Sequence, residues 1–222
     1  MSQNEEMTQE QEQEQERTLR VGLYGGTFSP VHNGHVQAVK AFMKQMWLDY
    51  VFVMPARIPP HKEARNLPPA AERLKMCELA FSGMEGVLVS DLEVRREGPS
   101  YTVDTLRALT APDTRLFLLC GTDMVLTLDS WYRADEIFRL SYPVYVRREN
   151  DPVLEERIKG KLAEYMEKYH KMVRRIVVDP IEVSSTQIRD MVRRGEDISP
   201  YVPAAVCRYI KEKGLYRDGQ EE

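Results

Sequence analysis

Apolar residues recur along this chain in short runs, separated by stretches in which they return every three or four positions. The runs Leu19–Tyr24, Tyr50–Met54, Val87–Ser90, Leu116–Cys120, Tyr142–Val146 and Arg175–Val178 are four to six residues long. That is the length and texture of strands buried on both faces. Between them, His35–Trp47 sets Val36, Val39, Phe42, Met43, Met46 and Trp47 on one broad face. Ala70–Phe81 repeats Leu74, Cys77, Ala80 and Phe81 at three- and four-residue steps. Both stretches read as amphipathic helices. Tyr101–Leu109 reads as a further helix after the turn Gly98-Pro99-Ser100. Thr186–Arg194 and Pro203–Lys213 form a helical pair, and Gly214 closes the second. Strands alternating with helices predict an α/β fold: a doubly wound parallel sheet with C-terminal helices. Residues 18–217 are expected to form a single domain.

Composition narrows the class. The chain has 222 residues, enough to bury a core without disulfides or a structural metal, and is 42% hydrophobic and 30% charged. Its formal net charge is −4, but residues 1–19 carry six glutamates against Arg17, a local −5, which leaves +1 for the rest. A nearly neutral body is not expected to bind nucleic acid generally. Residues 1–17 are a Gln/Glu tract without apolar surface to bury, expected to be disordered, and 218–222 are a short polar tail. Cys77, Cys120 and Cys207 are far apart and odd in number, which argues against a disulfide framework and for the cytoplasm. Cys77 and Cys207 read as helix-packing residues and Cys120 as strand core. No apolar run approaches the ~20 residues of a membrane span, and no signal peptide is expected. Composition leaves the oligomeric state open.

The chemistry gathers in loops. In open Rossmann-like sheets ligands bind beyond the carboxyl ends of the strands. After the first strand the chain reads Gly25-Gly26-Thr27-Phe28-Ser29-Pro30-Val31-His32-Asn33-Gly34-His35. The glycines allow close backbone approach, Pro30 stiffens the turn, Asn33 is expected to cap the helix, and Gly34 leaves room for a ligand. A strand, a glycine turn and a helix start make a phosphate cradle, because the first N–H groups of a helix lack helical partners. His32 and His35 are two of only four histidines. Together with His61 they also admit a zinc reading, and a tight turn with incidental histidines is the plain alternative. After the second strand, Arg57, His61 and Lys62 bring positive charge within a proline-rich loop. After the fourth, Gly121 precedes Thr122 and Asp123. Asp123 suits the two hydroxyls of a ribose, though Thr122 or Asp123 is as readily a helix cap. Trp131 and Tyr132 can stack on an aromatic ring or pack in a core. Ser184 and Gln187 have capping-box spacing. Ser185, Thr186 and Arg189 then form a second phosphate-binding helix start. Of the paired arginines, only Arg147 and Arg148 stand near the ligand edge; the others read as solvated faces.

From Leu19 to Tyr216 the chain resembles bacterial nicotinate mononucleotide adenylyltransferases. The resemblance rests on the ordered series Gly-Gly-Thr-Phe-x-Pro-x-His-x-Gly-His, Pro-Pro-His-Lys, Glu-Gly-Pro-Ser-Tyr-Thr, Gly-x-Asp-Met, Trp-Tyr, Val-Ser-Ser-Thr-x-Ile-Arg and Gly-Leu-Tyr. His-x-Gly-His by itself marks only the wider nucleotidyltransferase superfamily. The resemblance implies transfer of the adenylyl group of ATP to nicotinate mononucleotide, with Mg²⁺ accompanying ATP. It implies that His32 and His35 contact the ATP phosphates, while Arg189, Ser185 and Thr186 hold the phosphate tail. His61 and Lys62 would border the phosphates, and Gly121 and Asp123 would take the adenosine. Thr102, Trp131 and Tyr132 would enclose the pyridine ring. Ser29 stands where the family commonly has Asp, and Arg148-Glu149 where it has Arg-Pro. Acceptors that remain open are nicotinamide mononucleotide and phosphopantetheine; a non-catalytic nucleotide-binding module is the alternative of another class.

Overall fold

The computed structural model describes residues 18–59, 67–147, 152–179 and 183–217. Six strands form one sheet: β1 (Leu19–Gly26), β2 (Tyr50–Pro55), β3 (Val87–Val89), β4 (Thr114–Gly121), β5 (Ser141–Arg147) and β6 (Arg174–Val177). The order is β3-β2-β1-β4-β5-β6 and every pairing is parallel. The helices are α1 (Asn33–Met46), α2 (Ala70–Phe81), α3 (Leu92–Arg95), α4 (Thr102–Leu109), α5 (Thr122–Thr127), α6 (Ala134–Leu140), α7 (Pro152–Tyr169), α8 (Ser185–Arg193) and α9 (Ala204–Lys213). The expected parallel α/β sheet is therefore present, and the winding direction reverses between β1 and β4. That reversal opens a crevice at the carboxyl edge, beside Gly25, Gly26 and Gly121.

The continuous apolar strands follow from covering both faces of the sheet. Along β4, Phe117 and Leu119 join one core with Phe42 of α1, Ile188 of α8 and Val206 of α9. Leu116, Leu118 and Cys120 join the other with Val103 of α4, Phe138 of α6 and Tyr165 of α7. The side-chain period of two sends alternate residues to opposite faces, so neither face tolerates a polar position. All three cysteines are buried thiols, on α2, β4 and α9, as their apolar surroundings predict. Burial pushes the Cys120 thiol up to about 12, so it stays protonated and inert.

Three expectations about helices need correction here. Trp47, expected on the apolar face of the first helix, is its left-handed C-cap and is 74% exposed. The buried face of α2 is Arg73, Met76, Cys77 and Phe81, with Leu74 and Ala80 only half-buried. A guanidinium occupies a position on the apolar stripe because three backbone carbonyls receive it there. The longest helix, α7, falls where the sequence pattern resolves no helix. Only Ile158 and Tyr165 are fully buried on it, a stripe too narrow to stand out among its charges. Tyr165 nonetheless donates to the Val125 carbonyl at 2.7 Å, and Tyr169 stacks on Phe138 at 4.0 Å. Among the described residues no helix is long and apolar enough to cross a membrane.

The distance between α1 and the sheet is set at Gly22. A Cβ there would stand 2.6 Å from Phe42 Cε1 and 2.8 Å from Leu48 Cδ1, both on buried side chains. Overpacking of this kind typically costs about 1–3 kcal/mol. Gly22→Ala is expected to lose that much in urea unfolding while keeping the native far-UV spectrum. An unchanged midpoint would show that α1 moves away freely.

Candidate active site

The turn between β1 and α1 is held by its carbonyl oxygens. The Gly26 carbonyl accepts from the Ala56 N–H at 2.9 Å. The Thr27 carbonyl accepts from Arg73 Nη1 and the Ser29 carbonyl from Arg189 Nη1, both at 2.8 Å. The Pro30 carbonyl accepts from the Ser185 hydroxyl at 2.9 Å. In a trans peptide the N–H points away from its C=O. The N–H groups of Thr27, Phe28 and Val31 are therefore turned away from these clamps. Phe28 adopts a left-handed conformation with φ 48°, and its buried ring stands 3.1 Å from where a Gly26 Cβ would be. At Gly25 a Cβ would meet nothing within 4 Å, so the turn faces open space on that side.

His32 is the N-cap of α1 and is 1% exposed. Its backbone N–H donates to His35 Nδ1 at 3.1 Å, and the two rings lie 3.7 Å apart, tilted by 40°. An Nδ1 that accepts carries no proton, so a neutral His35 keeps its proton on Nε2, poised to donate. Phe28 packs edge-on against the His35 ring at 5.1 Å. The expectation that Asn33 caps this helix is corrected. The His32 carbonyl takes the first helical bonds and the His35 ring closes the reciprocal cap. Asn33 begins the helix instead, and its amide donates to the Pro200 carbonyl at 3.0 Å. Gly34 lies in the first turn.

The start of α8 meets this same turn from 155 residues away in sequence. Ser184 and Gln187 form the predicted reciprocal cap: the Gln187 N–H donates to the Ser184 hydroxyl at 3.2 Å and the Ser184 N–H to Gln187 Oε1 at 2.7 Å. Arg189 reaches the Thr186 hydroxyl at 3.1 Å as well as the Ser29 carbonyl. Burial holds its guanidinium below the ordinary value. Ser29 donates to the Tyr216 hydroxyl at 3.2 Å, and Tyr216 is itself buried. His32, His35, Ser185, Thr186 and Arg189 thus converge on one loop.

The remaining candidates lie around the rim. Gly121 caps α5, and a Cβ there would meet only Met124 sulfur, at 3.9 Å. Thr122 donates to the Val146 carbonyl at 3.1 Å, and Asp123 is exposed in the first turn; neither side chain is the cap. Thr102 opens α4. Tyr132 is 48% exposed with its ring 4.5 Å from that of Tyr101, whereas Trp131 is 8% exposed and packs within the core. Ser100 joins the loops after β2 and β3: its hydroxyl accepts from the Arg57 N–H at 2.9 Å and its N–H donates to the Ile58 carbonyl at 3.0 Å. Beneath them Glu93 is buried. It accepts from the Thr105 hydroxyl at 2.6 Å, and burial raises its carboxyl above the ordinary range. His61, Lys62, Arg148 and the Arg147 side chain lie outside the described residues. Arg73 and Glu93 escape a reading of motifs alone, whereas Ser100 and Tyr216 lie within the Glu-Gly-Pro-Ser-Tyr-Thr and Gly-Leu-Tyr stretches without a role assigned to them there. The available signal for Arg73 is a charged residue on the apolar face of its helix.

Residues 23–191 match the cytidylyltransferase-like family model. A relative from Geobacillus thermodenitrificans, named as a probable nicotinate-nucleotide adenylyltransferase, is 37% identical over 199 residues, covering 89% of this chain and 86% of the relative. One of the same name from Desulfatibacillum aliphaticivorans is 33% identical, covering 89% of this chain and all of its own. A solved nicotinic acid mononucleotide adenylyltransferase from Plasmodium falciparum, complexed with NaAD, superposes with a TM-score of 0.67 at 18% identity, covering 89% of this chain and 97% of that one. That likeness shows the fold. With the family model spanning most of the chain and relatives of this identity matched along nearly their full length, the chain belongs to the nicotinate-nucleotide adenylyltransferase family.

Proposed function

We propose that the chain joins ATP and nicotinate mononucleotide into nicotinate adenine dinucleotide, releasing pyrophosphate, as a step of NAD biosynthesis. The observation that carries this reading is the shared turn. Backbone N–H groups, two imidazoles and the Arg189 guanidinium meet there from distant parts of the chain. Such a place fits a polyphosphate. A phosphate oxygen of the mononucleotide attacks the α-phosphorus of ATP, and the bond to the departing pyrophosphate breaks. The attacking group is already an anion, so no protein nucleophile is required. Catalysis is then alignment of two substrates and stabilisation of charge on the transferring group.

The roles follow the motif series and, for the described residues, their positions in the fold. Gly25, Gly26, Thr27, Phe28 and Gly34 let the backbone approach the phosphates. His35 donates from Nε2, with His32 stacked beside it, and Arg189 with Ser185 and Thr186 receives the pyrophosphate end. The motif series assigns His61 and Lys62, which lie outside the described residues, to the phosphate border. Gly121 and Asp123 hold the adenosine. The pyridine ring lies by Thr102 and Tyr132, with Trp131 beneath, and the first-turn N–H groups of α4 suit its carboxylate. Mg²⁺ arrives with ATP and, when bound, offsets part of the phosphate charge. Such an ion would be held largely by phosphate and water rather than by a protein cage. The buried thiols fit a reducing cytoplasm.

A pyrophosphate-release assay with ATP, comparing nicotinate mononucleotide, its amide and phosphopantetheine, should favour the first. Preference for phosphopantetheine would overturn the reading. His35→Ala removes one donor to developing charge, typically about 2.7–4 kcal/mol, so kcat should fall by roughly a hundredfold or more. A wild-type rate would remove His35 from the mechanism. Asp123→Ala should raise the KM for ATP with little change in kcat, and steady-state kinetics with ATP varied will show whether it does.

A further inference from the structure

Arg73 is a guanidinium, 2% exposed, on the inner face of α2. Its three nitrogens are spent on three carbonyls from three different segments. Nη1 donates to Thr27 at 2.8 Å, Nη2 to Arg57 at 3.1 Å and Nε to Pro68 at 3.1 Å. Thr27 belongs to the phosphate turn, while Arg57 and Pro68 stand at the two ends of the connection from β2 to α2. Among the described residues no carboxylate pairs with it. Burial lowers its proton affinity, and Tyr216 and Cys77 offset part of that. A buried charge without a counter-ion is costly, and an apolar residue of similar volume would pack the helix at less cost.

Packing alone therefore does not account for this residue. We propose that Arg73 is a positioning residue of the adenylyl-transfer site: its planar fork locks the phosphate turn to both ends of the β2–α2 connection, and its charge, which no carboxylate pairs among the described residues, favours the polyanion. The Thr27 carbonyl taken by Arg73 belongs to the peptide whose N–H is that of Phe28. Holding the carbonyl inward holds that N–H outward before any substrate arrives, which is the preorganisation that lowers a barrier. Arg189 clamps the Ser29 carbonyl of the same turn, whose peptide ends in Pro30 and carries no N–H, so its hold steadies the loop without orienting a donor. A lysine preserves the charge but concentrates its donors at one point, so it cannot span three separated carbonyls.

The proposal rests on the preceding functional reading, and the experiment separates the two. Wild-type enzyme is first assayed with the three acceptors, and the variants are then compared on whichever acceptor it prefers. Arg73→Lys and Arg73→Met are measured with kcat expressed per folded molecule, from circular dichroism at the assay temperature. Titration calorimetry with a non-hydrolysable ATP analogue reads binding without turnover. Arg73→Lys should keep the analogue affinity within about threefold and lose about tenfold or more in kcat. Arg73→Met should lose in both. A lysine variant retaining more than about one-fifth of wild-type kcat per folded molecule overturns the proposal, whatever its melting temperature. If Arg73→Met does not fold, the lysine result alone decides.

Discussion

The site depends on four carbonyl oxygens being claimed by the protein itself. Gly26, Thr27, Ser29 and Pro30 give theirs to donors from the residue after β2, from α2 and from α8. A turn of this kind, left to water, would sample many peptide orientations. With its acceptors fixed, the peptide planes of the turn are fixed as well, and the N–H groups of Thr27, Phe28 and Val31 are held away from the clamps as a standing feature of the fold. The histidines follow from the same arrangement. His32 caps α1 where the turn ends, and its N–H sets the ring of His35.

Sheet geometry explains why so distant a set of donors can meet. The order β3-β2-β1-β4-β5-β6 places the end of β1 centrally, with the end of β2 on one side and β4 on the other. Helices α2, α8 and α9 all contribute to the apolar layer that includes α1. Arg73, Arg189 and Tyr216 are therefore projected from the core side of that layer, and the loops carrying Asp123, Thr102 and Tyr132 rise from the other. Close approach at Gly22 keeps α1, and the histidines at its start, seated on the sheet.

Much of this was legible in the sequence because the responsible patterns are local. Ser184 and Gln187 cap α8 because spacing alone brings them together, and Leu116–Cys120 of β4 are apolar at every position because both faces of the sheet are covered there. What could not be read depends on partners far away in the chain. Asn33 has the chemistry of a cap, yet the His35 ring takes the reciprocal role and the Asn33 amide goes to Pro200. Arg73 looks like a solvated helix charge until the carbonyls of Thr27, Arg57 and Pro68 are seen around it. Helix α7 hides because two large buried residues suffice to seat it. Trp131 and Tyr132 are neighbours in sequence, and only the packing separates a core residue from an exposed ring.

Tyr216 ties the turn to a segment far along the chain. Its hydroxyl meets Ser29 across 187 positions, and Leu215 beside it is buried as well. Closing a loop of that span costs entropy that local pairings do not, so the contact is rewarded only once the sheet between the two segments has formed. The turn and the distant segment thus belong to one cooperative unit, and damage at either is felt at the other.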